Sequence, residues 1–110
     1  MQILIVEDDD AIAKPLAAGL EREGFDVTRV SNGEDALEAA LPDLVLLDVN
    51  LPDTDGFQVA RRLTAKSGAP AVVLVSSRDH SDFGPLVTGS GARGFISKGD
   101  LSGAAIAELL

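Results

Sequence analysis

Cysteine is absent from these 110 residues. That removes disulfide frameworks, thiolate chemistry and cysteine-ligated metal centres from consideration. Long apolar runs are also missing, and nothing approaches the ~20 uninterrupted hydrophobic residues of a membrane-crossing helix. The opening stretch Met1 to Val6 has no basic segment and runs straight into Glu7, so it lacks the makeup of a secretory leader. A cytoplasmic protein with no membrane partner is expected. Bases are scarce: nine Lys and Arg stand against 18 Asp and Glu, a formal net charge of −9. Such a field repels phosphate backbones, so direct nucleic-acid binding by this chain is not expected. Histidine occurs once, at His80, in a polar stretch read as solvated. No linker, repeat or low-complexity tract interrupts the chain, and its length suits one domain over residues 1–110.

The stretch Leu44-Val45-Leu46-Leu47 ends in Asp48, and a turn containing Pro52 and Gly56 follows at once. A short apolar run so bounded reads as a strand buried on both faces, as in a parallel sheet. Gln2 to Val6 and Ala71 to Val75 read the same way, Gly94 to Ser97 as a short last strand, and the alternating Phe25 to Val30 as an edge strand. Between them lie helical patterns. Ile12, Leu16 and Leu20 form a stripe over about Ala11 to Glu23, with a late start or bend expected at Pro15. Asn32 is placed to cap a helix over Glu34 to Ala40, and Phe57, Val59, Ala60 and Leu63 mark another. Helical signal is weak from Arg78 to Gly91, where Gly84, Pro85, Gly89 and Gly91 intervene. A terminal helix is expected to present Leu101, Ala104, Ala105 and Leu109 on one face. Strand and helix alternate five times, which calls for an α/β doubly wound parallel sheet.

In such a sheet the strands point one way, and residues just beyond their carboxyl ends share a rim. Glu7 and Asp8 follow the first strand, Asp48 ends the third, Ser76 closes the fourth and Lys98 follows the fifth. An isolated acid after a strand is usually a turn cap. Carboxylates, a hydroxyl and an ammonium at corresponding strand ends suggest shared chemistry instead. Hard oxygen donors suit Mg²⁺, which also relieves the mutual repulsion of crowded acids. Beside it Asp48 is a candidate carboxylate nucleophile toward phosphorus, with Lys98 and Ser76 meeting the charge of the transferring group. Ser76 is preferred to Ser77 because it directly follows the apolar run.

Three segments carry a family resemblance: Ile5-Val6-Glu7-Asp8-Asp9, then Asp43 to Asp48 with Leu51-Pro52-Asp53-Thr54-Asp55-Gly56, and Gly91 to Lys98. With them the chain resembles the receiver domain of bacterial two-component response regulators. The resemblance implies a flavodoxin-like (CheY-like) five-stranded parallel sheet in the order 2-1-3-4-5. It implies that Asp48 accepts a phosphoryl group from a histidine kinase or phosphotransfer protein. Asp8 would bind Mg²⁺ directly, Glu7 through water, and Asn50 through its backbone carbonyl. Lys98 would bond the phosphoryl group, and Ser76 and Phe95 would rearrange together to signal to an output domain or downstream protein. Such a domain catalyses only its own phosphorylation and hydrolysis and is not a conventional enzyme. Glu7 and Gly99 depart from the commoner Asp and Pro of the family. The rival readings are a receiver-fold interaction module that works without phosphorylation, and an aspartyl-phosphate phosphatase. The phosphatase would want an acid where Asn50 stands.

Overall fold

The computed structural model describes residues 1–78 and 82–109; His80 lies outside them. Five parallel strands form one sheet in the order β2-β1-β3-β4-β5. They are β1 (Gln2–Val6), β2 (Asp26–Val30), β3 (Leu44–Asp48), β4 (Ala71–Ser76) and β5 (Gly94–Ser97). The helices are α1 (Asp10–Arg22), α2 (Gly33–Glu38), α3 (Gly56–Thr64), α4 (Pro85–Gly89) and α5 (Gly103–Leu109), with a 3-10 turn at Lys98–Asp100. This is the doubly wound, 2-1-3-4-5 architecture expected from the alternating pattern and the family resemblance. Every residue of β3 is buried, as its unbroken apolar run requires. Ile3, Ile5, Leu44, Leu46, Val73 and Val75 face one layer with Leu16 and Leu20 of α1 and Ile106 of α5. Leu4, Val6, Val45, Leu47 and Leu74 face the other layer with Phe57, Val59 and Leu63 of α3. The edge position expected for the alternating β2 is the one observed.

Two local expectations are corrected. α1 does not start late at Pro15: it begins at Asp10, where the Asp9 side chain accepts a hydrogen bond from the Ala11 amide at 2.9 Å. Pro15 withholds the donor that the Ala11 carbonyl would use, but both residues are on the exposed side of the helix, where water can serve that carbonyl. The buried face of the terminal helix departs from the expected one at Ala104, whereas Leu101 packs against the core; the Leu109 side chain lies outside the described residues. Ser102 accepts from the Ala105 amide at 3.0 Å, so α5 starts at Gly103, and Gly103 and Ile106 are buried while Ala104 is exposed. The cause is a close backbone crossing. A Cβ on Gly103 would lie 2.5 Å from the carbonyl carbon and oxygen of Gly19 in α1, so only hydrogen fits there. Gly103→Ala is therefore expected to destabilise the fold by about 2 kcal/mol through overpacking. A fall in the urea midpoint with an unchanged slope, followed by circular dichroism, checks this.

The weak signal before β5 becomes α4, five residues long, preceded by Gly84 at φ +49° and with no side-chain cap. All described peptide bonds are trans, Lys98–Gly99 included.

Candidate functional site

The parallel arrangement brings the carboxyl ends of β1, β3, β4 and β5 to one rim. Glu7 leaves β1 with its backbone held from the neighbouring strand. Its N–H donates to the Val30 carbonyl at 3.1 Å, and its carbonyl accepts from Arg29 Nε and Nη2 at 2.9 and 2.7 Å. The Asp9 amide donates to Glu7 Oε2 at 3.4 Å. Asp48 is the last residue of β3 and is only 4% exposed. The Asn50 amide donates to Asp48 Oδ1 at 3.1 Å. The turn after Asp48 closes when the Gly56 amide donates to the Val49 carbonyl at 2.7 Å. A Cβ on Gly56 would meet the Val49 Cα at 2.9 Å and collide with the Asp48 carbonyl. The glycine of the turn thus lets α3 start directly beneath the strand end that carries Asp48.

Carboxylate oxygens of Glu7, Asp8 and Asp48 all lie within 4.8 Å of one another. Glu7 and Asp48 are buried and Asp8 is exposed, so the cluster opens to solvent on the Asp8 side. Lys98, delivered by the end of β5, reaches Glu7 Oε1 at 2.8 Å and Asp48 Oδ2 at 3.3 Å. Burial and the neighbouring Asp48 carboxylate raise the Glu7 pKa above the ordinary carboxylate range, and Lys98 only partly offsets them. For Lys98, burial pulls the pKa down, but the Glu7 and Asp48 carboxylates outweigh it and hold the ammonium charged. A cation therefore already stands between two of the acids. The cluster is a set of hard oxygen donors whose repulsion a divalent ion would relieve further.

Ser76 is buried in β4 while Ser77 is exposed, so the first serine is the one turned inward. Its hydroxyl accepts from the Arg78 amide at 3.0 Å. Ser76 pairs in register with Ser97, and Phe95 is half-buried against the α3 layer. The Phe95 ring lies 5.8 Å from Phe83, which stands 5.2 Å from Phe57. Arg78 is 63% exposed, with Nε 3.9 Å from Asp82 and its guanidinium over the Phe83 ring. Asn50 is exposed at the start of the turn and bridges to Asp55.

Several participants escaped the sequence reading. The alternation of Phe25 to Val30 places Arg29 only on the polar side of an edge strand, and nothing in its spacing marks the Glu7 carbonyl as its target. Asp53 accepts from the Gly33 and Glu34 amides at 2.9 Å each. These hydrogen bonds hold the Asp53 pKa below the usual range and tie the turn after β3 to the start of α2. The bond from Lys98 to Glu7, shorter than that to Asp48, was also unforeseen.

The family model described as the response regulator receiver domain matches residues 3–106. The transcriptional regulatory protein AfsQ1 of Streptomyces coelicolor is 40% identical over 101 residues, covering 87% of this chain and 44% of that protein. The DNA-binding response regulator MtrA of Mycobacterium tuberculosis is 43% identical over 102 residues, covering 88% and 43%. The chain thus spans less than half the length of these curated relatives. Among solved structures, the BeF3-activated N-terminal receiver domain of Klebsiella pneumoniae RstA is similar with a TM-score of 0.86 and 32% identity. That match covers 99% of this chain and 95% of that one. A putative response regulator from Chloroflexus aurantiacus has a TM-score of 0.87 and 27% identity, covering 98% and 92%.

Proposed function

The chain belongs to the response regulator receiver domain family of two-component systems, and we propose that it is a phosphoacceptor that carries its phosphoryl group on Asp48. The convergence of Glu7, Asp8 and Asp48 within 4.8 Å, with Lys98 bonded to the first and last, is the observation that supports this reading. Glu7, Asp8 and Asp48, with the backbone carbonyl of Asn50, would hold Mg²⁺, which when bound neutralises the acids and polarises a phosphoryl oxygen. The donor is a histidine kinase or phosphotransfer protein. A carboxylate oxygen of Asp48 forms a bond to phosphorus as the bond from phosphorus to the donor's imidazole nitrogen breaks, and the imidazole leaves with that electron pair. The Lys98 ammonium offers hydrogen bonds to the incoming phosphoryl oxygens, which gain negative charge beside Asp48. The Ser76 hydroxyl turns from the Arg78 amide toward the same group, and Phe95 follows it inward. An attached output domain or a downstream protein reads the change on the α4–β5–α5 side.

In this reading residues 1–110 work as one receiver unit in the cytoplasm, and the chemistry is confined to the chain's own phosphorylation and dephosphorylation. No helix among the described residues is long and apolar enough to cross a membrane. DNA binding, named for the MtrA relative, is not proposed for this segment, whose net charge is −9. Incubation with acetyl phosphate and Mg²⁺ tests the proposal by intact mass. A stable gain of one phosphoryl group per chain is expected, and it should vanish when EDTA replaces Mg²⁺. A protein that stays unmodified would favour the phosphorylation-independent interaction module, consistent with the short, uncapped α4. Continuous release of phosphate would favour the phosphatase.

A further inference from the structure

The chain carries four consecutive acids, Glu7 to Asp10, yet only the first two join Asp48 in the carboxylate cluster. The structure gives the other two different work. Asp9 caps α1 through the Ala11 amide. Asp10 is paired with Arg29, whose Nη1 lies 2.6 Å from Asp10 Oδ1. The same guanidinium directs Nε and Nη2 at the Glu7 carbonyl. Arg29 stands on β2 opposite Ile5 of β1, so its side chain reaches past the strand end to the loop that bears the acids. The next residue of β2, Val30, receives the Glu7 N–H through its carbonyl. Both polar groups of the Glu7 backbone are thereby fixed from one edge strand. A planar guanidinium can serve a carbonyl and a carboxylate together; an ammonium offers one point charge with no preset fork.

We propose that Arg29 is a positioning residue for the divalent cation: it pins the Glu7 carbonyl and draws Asp10 aside, so that Glu7 and Asp8 are presented to one ion together with Asp48. The inference rests on the metal-dependent reading of the site. Its consequence has a sign that separates positioning from charge. Arg29 is itself a cation near a cation site, so by Coulomb's law alone its removal tightens Mg²⁺ binding. Loss of positioning weakens it, and supporting contacts behind metal ligands are commonly worth 10-fold or more in affinity.

The test is isothermal titration of the metal-free chain with Mg²⁺, comparing the unchanged protein with Arg29→Met, Arg29→Lys and Asp10→Asn. Arg29→Met and Arg29→Lys are both expected to bind Mg²⁺ about 10-fold more weakly. Asp10→Asn, which keeps the contact to the Glu7 carbonyl, should stay within about threefold, the scale of one exposed charge. Circular dichroism and urea midpoints confine the comparison to folded protein. Arg29→Lys keeps the charge and aliphatic stem at a partly exposed site, so it supplies an answer even if Arg29→Met does not fold. Either Arg29 variant binding Mg²⁺ as tightly as the unchanged chain, or more tightly, overturns the proposal. An unchanged chain that binds Mg²⁺ but takes no phosphoryl group from acetyl phosphate overturns the phosphoacceptor reading and leaves the Arg29 comparison decisive by itself. An unchanged chain that binds no Mg²⁺ overturns both.

Discussion

Asp48→Asn is expected to yield a folded protein that takes up no phosphoryl group, its labelling rate from acetyl phosphate falling by at least about 10³-fold, as when a nucleophile is deleted outright. The substitution preserves shape. An amide oxygen can still accept from the Asn50 amide, which lies 3.1 Å from Asp48 Oδ1. Lys98 keeps its 2.8 Å partner in Glu7, so no buried ammonium is stranded. What is lost is the anionic oxygen able to attack phosphorus. Stability in metal-free buffer should hold or rise, because Asp48 is one of the groups that raise the Glu7 pKa. Other acids nearby are already engaged: Asp55 caps α3 through the Gln58 amide, and Asp53 holds the start of α2. Undiminished labelling of the variant, measured by intact mass and located by peptide mapping, would move the acceptor elsewhere.

Removing the lysine tests the opposite side of the same balance. In metal-free buffer near neutral pH, Lys98→Met leaves Glu7 and Asp48, both with side chains only 4% exposed, without the cation between them. Stripping one partner from a buried ionic cluster costs about 3 kcal/mol. The pH dependence has a definite sign. Glu7 holds its proton more tightly folded than unfolded. Its effect on stability is therefore unfavourable, growing as pH rises from the unfolded carboxylate range through the raised folded value. Loss of Lys98 takes away an influence that lowers the Glu7 pKa, so it widens that window upward. The raised Lys98 pKa means its own contribution is complete below the ordinary lysine range and is lost only at strongly alkaline pH. The gap between the urea midpoints of the variant and the unchanged chain should thus be smaller at about pH 4, where Glu7 holds its proton, than at about pH 7. Mg²⁺ at neutral pH should recover most of the deficit by supplying the missing positive charge. A midpoint gap that is the same at both pH values and indifferent to Mg²⁺ would show that Lys98 acts by packing alone.

Much of the fold was legible because its signals are local and repeat at fixed periods. The run Leu44 to Leu47 reads as a strand covered on both faces, and Asn32 marks a helix start. The errors came where a partner element decides. The buried face of α5 turns on the contact of Gly103 with Gly19, which lie 84 positions apart, and no periodicity within residues 101–109 encodes that crossing. Pro15 does not delay the start of α1, because a backbone donor is costly to lose only where water is excluded, and the solvent side of α1 is fixed by packing. Within the site, the acids, the lysine and the inward serine stood out as residue types at strand ends. Arg29 and the Lys98–Glu7 bond did not, since each joins segments far apart in the chain.

By itself the sequence determined the alternation of strand and helix, the parallel sheet and the set of acids, hydroxyl and ammonium at the carboxyl ends of its strands. Side-chain periodicity and turn chemistry act within a few residues, and they leave those features little freedom. Only the tertiary structure decided how four consecutive acids divide their work, which of them meets Lys98, and that an arginine on the edge strand holds the first in place. Those outcomes depend on directions and distances between elements, which exist only once the sheet is assembled.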